Sequence, residues 1–159
     1  MPETKKLRLG IGSDHRGFKL KEKLKLSLAK LGCKVTDFGV FSEKRADYPL
    51  VAIKLSKHVK GVPKSKSPTI DYGILICGSG LGMSIAANKV KGIRAALCLT
   101  PEFACRSRQH NDANVLVLAA DFVKLLQAKA IIQAFIKEKF LGERHIIRIH
   151  QISAYENKR

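Results

Sequence analysis

Tryptophan is absent from this chain of 159 residues, and only 6% of its residues are aromatic. Few side chains are therefore available to stack on bases, which disfavours a single-stranded nucleic-acid binder. No apolar run approaches the about 20 residues that span a bilayer, and no apolar segment near residue 1 is typical of a secretory signal. We therefore expect a cytoplasmic protein with no membrane partner.

Acidic residues are also scarce, since 13 Asp and Glu stand against 30 Lys and Arg and give a formal net charge of +17. The lysines are scattered along the chain instead of forming one run. Such a charge is one requirement for binding nucleic acid, but it equally attracts a small anionic substrate to a solvated basic surface. We favour the second interpretation and expect no nucleic-acid partner.

The four cysteines, at positions 33, 77, 98 and 105, form no C-x-x-C pair. No histidine stands at zinc-finger spacing from any of them. Paired motifs of that kind are what hold structural zinc, and disulfide frameworks belong to oxidising compartments. The pattern predicts free thiols and no bound metal.

One domain over residues 1–159 fits the length, because 45% of the residues are hydrophobic and a domain of this size buries about 70% of its unfolded surface. Short apolar runs alternate with segments of helical periodicity. The predicted strands are 7–13, 33–38, 72–76, 93–99 and 114–120. The predicted helices are 18–31, 49–60, 79 or 80 to 90, a short helix from 101, a long one from 125 to near 142, and 146–155, with 61–69 as a loop. This order predicts an α/β fold with an open, mostly parallel five-stranded sheet and helices on both faces.

Ligands of such sheets bind outside the carboxyl ends of the strands, so polar residues that follow a strand are candidates for a site. Residues 13–15 follow the first strand, residues 77–82 the third, and Thr100 the fourth. The helix after Thr100 runs to the polar residues 108–112, just before the fifth strand. We expect all of these segments to gather at one edge.

The glycine loop, GSGLG at 78–82, matches neither a Walker A motif nor the G-x-G-x-x-G fingerprint. Glycines let backbone amides approach an anion closely, and a helix that begins here would direct its positive end at the same place. The loop therefore favours negative charge. A tight strand-to-helix turn with no ligand is the alternative.

Cys77 directly precedes this loop, at a predicted helix N-terminus, where the pKa of a thiol falls toward neutral. Such a thiol can act as a nucleophile or as a general base. A small buried hydrophobe is the alternative, which we favour for Cys33, Cys98 and Cys105. With Asp14-His15 and His110-Asn111 expected at the same edge, a Cys–His hydrolase also stays open.

Arg144 and Arg148 are four residues apart and would share one face of the last helix. Guanidinium groups presented together bind phosphate well, because each offers several donors in a fixed geometry. A solvated basic face is the alternative in a chain this basic. The spacing therefore indicates a phosphate contact without deciding for it.

Five segments together resemble the ribose-5-phosphate isomerase B family, which is related to galactose-6-phosphate and allose-6-phosphate isomerases. They are SDHRGF, RADYP, GILICGSGLGMSIAANK, SRQHNDANVL and GERH-x-x-R, and the match runs from about residue 8 to 156. The resemblance implies a metal-free, cofactor-free aldose–ketose isomerase of the pentose phosphate pathway that interconverts ribose 5-phosphate and ribulose 5-phosphate. It implies a Rossmann-like three-layer sandwich and a homodimer, in some members a tetramer. The last helix serves in dimerisation, and its arginines reach into the neighbour's pocket.

Roles for single residues follow from the same resemblance. Cys77 would be the base that moves a proton between C1 and C2, since the position where one branch of the family has Glu is Met83 here. His110 would open the sugar ring as an acid, with Asp14 as its basic counterpart. The remaining residues would hold the substrate. The enediolate oxygen would be bound by Ser79 and by the amides of Gly78, Gly80, Leu81 and Gly82. The phosphate would be bound by His15, Arg144 and Arg148, and the sugar would be contacted by Tyr48, Asn111 and Arg45.

One departure from the resemblance is visible after the fifth strand, where several members have an arginine and this chain has Ala119-Ala120-Asp121. The substitution of an acid for a base bears on phosphate affinity. Two other functions remain as alternatives. One is an isomerase of a six-carbon sugar phosphate, and the other is a basic nucleic-acid-binding protein on the same fold.

Overall fold

The computed structural model describes residues 6–158, so residues 1–5 and 159 of the predicted domain lie outside the described part. The strands are β1 (Arg8–Ser13), β2 (Lys34–Asp37), β3 (Tyr72–Cys77), β4 (Ala95–Leu97) and β5 (Val115–Ala119). The helices are α1 (Phe18–Lys30), α2 (Tyr48–Ser56), α3 (Leu81–Ala87), α4 (Pro101–Asn111), α5 (Leu125–Lys137) and α6 (Arg144–Asn157). None of these helices is long and apolar enough to cross a bilayer.

The five strands form one parallel sheet in the order β2-β1-β3-β5-β4, which confirms the predicted α/β fold. The chain leaves β1 in one direction to make β2 and then returns past β1 to make β3. The strand order therefore reverses between β1 and β3, and a crevice opens at such a switch point outside the carboxyl ends of the strands. The loop after β1 and the loop after β3 meet there.

Helices cover both faces of the sheet. On one face, α1 and α5 contribute Leu24, Leu28 and Phe135 to a core that includes Ile76 of β3. On the other face, α2 and α3 pack over a second core that includes Cys77. Because successive strand residues point to opposite faces, the Cys77 side chain belongs to the α2 and α3 side.

Several helix boundaries differ from the prediction. The helix predicted to reach residue 90 ends at Ala87, because the Asn88 side chain bonds to both backbone groups of Ala95 instead of continuing the helix. The helix predicted to reach residue 60 ends at Ser56, and the long helix ends at Lys137 rather than near residue 142. The predicted start of α4 is confirmed, since Thr100 Oγ1 accepts a hydrogen bond from Phe103 N at 3.3 Å.

Candidate active site

The glycine loop carries Cys77 into the crevice at the end of β3. Gly80 adopts a φ of +78°, and a Cβ on it would lie 2.4 Å from Leu97 Cδ1, so only glycine fits this turn. The turn brings Gly80 N to 3.2 Å from Cys77 Sγ, to which it donates a hydrogen bond. The thiol therefore lies against the amides that begin α3.

Opposing effects act on the Cys77 thiol, and the net result is a raised pKa. Burial raises the pKa most, the amides of Met83 and Gly80 lower it, and the charges of Asp14 and Asp121 raise it further. The prediction of a lowered pKa for Cys77 is therefore wrong, because the helix N-terminus does not outweigh the loss of solvation. Once deprotonated, such a thiol is a stronger base than an ordinary one.

The turn after β1 places Asp14 beside Cys77. The carboxylate is buried, and its Oδ1 accepts hydrogen bonds from Arg16 N and Gly17 N, both at 3.0 Å. Gly17 lies so close to β3 that a Cβ on it would be 2.5 Å from the Ile76 carbonyl oxygen. One Asp14 oxygen therefore fixes the turn, and its basic role in ring opening stays a prediction.

The loop between β2 and α2, with the first residue of α2, contacts both the turn after β1 and the glycine loop. Ala46 N donates to His15 Nδ1 at 3.3 Å, which ties the segment carrying Arg45 to the turn after β1. The Tyr48 ring lies over Gly82, where a Cβ would be 2.5 Å from Tyr48 Cζ. The structure thus brings the β1 turn, this loop and the glycine loop to one crevice.

Sequence reasoning did not include Arg16 among the site residues. Its Nη2 donates to Asp121 Oδ2 at 2.5 Å, and the two side chains lie over Gly78, where a Cβ would meet both within 2.9 Å. Arg16 follows Asp14 and His15 directly. The rule that polar residues just after a parallel strand are site candidates, which selected those two residues, therefore also applies to Arg16.

His110 and Asn111 do not join this crevice, so the prediction that they gather at the same edge is wrong within one chain. They end α4, which leads into the amino end of β5. Gly73 pairs with Val115 at that end, whereas Cys77 pairs with Ala119 at the other. Four residues of parallel strand separate the two ends by about 13 Å.

A second cluster forms around His110 at the amino edge of the sheet. Its ring stacks on that of His145 with centroids 4.4 Å apart and an interplanar angle of 9°. Burial lowers the pKa of His145, and the charges of His110, Arg144 and Arg148 lower it further. His145 lies inside the GERH segment, but nothing in the sequence showed that it would be buried against His110.

Comparison with known proteins decides the family. The model of the Ribose/Galactose Isomerase family matches residues 9–152. The chain belongs to this family. Ribose-5-phosphate isomerase B of Escherichia coli is 43% identical over 152 residues, which are 96% of this chain and 98% of that protein.

Solved structures of Ribose/Galactose Isomerase relatives have the same fold. Ribose-5-phosphate isomerase B of Clostridium thermocellum is 45% identical, with a TM-score of 0.89 over 96% of this chain and 99% of its own. The enzyme of Mycoplasma genitalium, solved with bound ribulose-5-phosphate, is 39% identical, with a TM-score of 0.83 over 96% of this chain and 98% of its own. These likenesses confirm the predicted resemblance.

By their positions in the fold, the predicted site residues form two separate groups. The first group surrounds the crevice: Asp14, His15, Arg45, Tyr48, Cys77, Gly78, Ser79, Gly80, Leu81 and Gly82. The second group lies at the end of α4 and the start of α6: His110, Asn111, Arg144 and Arg148. Within residues 6–158, no three His, Cys, Asp or Glu side chains are clustered closely enough to hold a metal ion.

Proposed function

We propose that this protein interconverts D-ribose 5-phosphate and D-ribulose 5-phosphate. The observation that carries the proposal is a thiol held against the amides of a glycine loop, in a chain that aligns over nearly its whole length with ribose-5-phosphate isomerase B. An isomerase of this type needs one base and a set of donors aimed at the oxygen where charge develops. Cys77 and the 78–82 backbone supply both.

In the proposed reaction, the Cys77 thiolate removes the proton on C2 of the open-chain aldose. The electron pair of the broken C–H bond becomes the C1–C2 double bond of an enediolate. Ser79 and the amides of the glycine loop hold the enediolate oxygen. The thiol then returns the proton to C1, and the hydroxyl proton passes from the oxygen on C2 to the oxygen on C1.

Before this step the sugar ring has to open, which needs a separate acid and base. We assign the acid to His110, which protonates the ring oxygen, and the base to Asp14, which takes the proton of the anomeric hydroxyl. His15, Arg144 and Arg148 hold the phosphate, while Tyr48, Asn111 and Arg45 contact the sugar. A positioned base contributes about 10²- to 10⁴-fold and one oxyanion donor about 10²- to 10³-fold.

The separation of the two groups within one chain supports a site shared between two copies. Within one chain, about 13 Å of sheet lies between the edge that carries His110 and the edge that carries Cys77, so in the proposed mechanism the acid comes from a neighbour. Apolar side chains are exposed near both groups, with Leu81 60% exposed on α3 and Ile147 64% exposed on α6. Exposed apolar patches of this kind mark contacts with a partner, and a symmetric dimer would create two equal sites.

The proposal treats residues 1–159 as one isomerase domain that works as a homodimer in the cytoplasm. A tetramer of two such dimers would leave the chemistry of each site unchanged. An isomerase of a six-carbon sugar phosphate is the second candidate, because the matching family model covers both ribose and galactose isomerases. The same base and the same oxyanion donors would serve a substrate that is one carbon longer.

The experiment is conversion of ribose 5-phosphate to ribulose 5-phosphate by the pure protein in excess EDTA, with allose and galactose 6-phosphates in parallel. Rapid, EDTA-resistant turnover of the pentose supports both the proposed reaction and the metal-independent mechanism that the resemblance implies. Turnover of a hexose phosphate alone keeps the mechanism and replaces the substrate. Absence of turnover on all three contradicts the proposal.

A further inference from the structure

The exposed ion pair between Arg16 and Asp121 lies across the glycine loop and has no part in the mechanism above. It joins the turn after β1 to the turn after β5, with Nη2 and Oδ2 2.5 Å apart. A Cβ built on Gly78 would lie 2.7 Å from Arg16 Nε and 2.9 Å from Asp121 Oδ2. The guanidinium is therefore adjacent to the backbone that holds the enediolate oxygen in the proposed reaction.

The backbone holds both partners in place. Arg16 N donates to Asp14 Oδ1 at 3.0 Å, and Asp121 N donates to the Gly78 carbonyl oxygen at 3.0 Å. Ala120 N also donates to the Cys77 carbonyl oxygen at 2.8 Å. The position of the guanidinium is thus set by three neighbouring strands of the sheet, β1, β3 and β5.

Most donors of the Arg16 side chain have no acceptor in the described part of the chain. A guanidinium carries five N–H donors, and among residues 6–158 the side chain of Arg16 forms one hydrogen bond, to Asp121. The side chain is also 58% exposed, so its other donors are accessible to a ligand. An arginine oriented in this way by a carboxylate suits a phosphate, whose oxygens accept several N–H bonds at once.

The charges around the crevice indicate a function for the Arg16–Asp121 ion pair other than stabilising the fold. An exposed ion pair contributes little to folding. Asp14 and Asp121, however, both lie close enough to Cys77 to act on its thiol by charge. Two carboxylates would repel a doubly charged phosphate ester, and Arg16 offsets one of them while offering donors of its own.

We propose that Arg16 is a substrate-positioning residue: Asp121 holds its guanidinium over Gly78, and its remaining donors bind the phosphate of the substrate. This inference rests on the proposed isomerase function, because it assigns a further contact to the same sugar phosphate. It predicts that Arg16 acts on affinity for anions more than on the proton-transfer step.

The test compares Arg16→Ala, Asp121→Ala and the double variant with the wild-type protein, using KM and kcat for ribose 5-phosphate and the inhibition constant of inorganic phosphate. Arg16→Ala should raise both KM and the phosphate inhibition constant by about tenfold to a hundredfold, the value of a hydrogen bond to a charged group. The kcat should change by less than about threefold, since uniform binding is lost. Arg106→Ala is the matched control, because Arg106 is 64% exposed and pairs with Glu102 on α4.

The double variant distinguishes two roles of Arg16, direct contact with the phosphate and neutralisation of the Asp121 charge. If Arg16 only neutralises Asp121, the double variant returns to wild-type KM and the proposal is overturned; if Arg16 binds phosphate, KM stays raised. An unchanged KM and inhibition constant in Arg16→Ala also overturn it.

If the wild-type protein has no isomerase activity, the proposed function fails instead. Calorimetric titration with inorganic phosphate then decides on Arg16 alone, by whether Arg16→Ala weakens binding. Arg16→Lys, which keeps the charge but not the planar fork of the guanidinium, should raise KM by less than Arg16→Ala does.

Discussion

At the scale of single residues, the proposed chemistry depends on how Cys77 is solvated. Its side chain is 4% exposed and accepts a hydrogen bond from Gly80 N, while the carboxylates of Asp14 and Asp121 act on it from neighbouring turns. Burial and the two negative charges outweigh the backbone amides, so the resting state is a thiol. The proposed proton abstraction therefore uses a small thiolate fraction of high basicity.

The pH dependence of kcat/KM tests this assignment, because that quantity reports the pKa values of the free enzyme. Since the pKa of Cys77 is raised, kcat/KM should increase with pH through a limb above about 8.5, the ordinary value for a thiol. Asp121→Asn should move the limb to lower pH, because the charge of Asp121 raises that pKa. A limb centred near neutral pH, unchanged by the substitution, would show that another group is the base.

At the scale of elements, a buried charge joins α1 to β2. Lys21 has no solvent exposure, and its ammonium contacts Asp37 Oδ2 at 2.7 Å and Glu22 Oε1 at 3.0 Å. Burial raises the pKa of Asp37, but hydrogen bonds from Lys21, Lys25 and Gly39 lower it, and the net shift is downward. Asp37 ends the strand from which the loop to Tyr48 departs, so this network supports one wall of the crevice.

Removing one partner of this network should destabilise the protein strongly. Lys21→Ala leaves Asp37 with only the partly exposed Lys25 and the Gly39 amide as partners, and it should lower the free energy of unfolding by about 2 to 3 kcal/mol in urea titrations. Lys19→Ala is the control on the same helix, since Lys19 is 78% exposed and pairs with Glu43. That exposed pair should contribute less than about 1 kcal/mol.

The same two proteins, compared at low pH, give a second test of the role of Asp37. The folded-state pKa of Asp37 is lowered, so Asp37 contributes its full share to the free energy of unfolding at any pH above the ordinary carboxyl pKa of about 3.9. This contribution is lost as the pH falls through the lowered pKa. The stability gap between the wild-type protein and Lys21→Ala should therefore shrink below about pH 4. An equal gap at pH 3 and pH 7 would contradict the role given to this pair.

Elements were predictable from the sequence where periodicity decides them. Apolar runs and helical spacing located all five strands and six helices of residues 6–158, and Thr100-Pro101 located the start of α4. The end of α3 was not predictable, because it depends on a hydrogen bond between Asn88 and Ala95, seven residues away. The burial of Lys21 was not predictable either, since a lysine on an amphipathic helix normally faces water.

The predicted grouping of residues at one edge of the sheet was confirmed for some segments and not for others, for a topological reason. Residues that follow parallel strands meet at one edge, and the turn after β1 and the loop after β3 do so. His110 precedes a strand, so the same rule places it at the opposite edge, and its expected position beside Cys77 of the same chain was wrong. The separation was thus predictable from strand order, whereas the stacking of His145 on His110 depends on where α6 packs.

At the scale of the whole molecule, the proposed function divides the site between two edges of the sheet. The crevice at the carboxyl edge holds Cys77 and the glycine loop, and the amino edge holds His110 with the arginines of α6. A symmetric pair of chains can bring the carboxyl edge of one to the amino edge of the other, twice. The net charge of +17 favours encounter with a phosphorylated sugar, an effect that salt should weaken.

The central claim, a cysteine base and a histidine acid contributed by different chains, is tested most directly by complementation. Cys77→Ala and His110→Ala chains carrying different affinity tags are co-expressed, and the mixed dimer is isolated by two successive purifications and assayed with ribose 5-phosphate. Each homodimer should be severely impaired. The mixed dimer contains one intact site and one doubly altered site, so it should regain about half of the wild-type activity per dimer. A mixed dimer as inactive as its parents would contradict the shared site and place both residues in the same chain's chemistry.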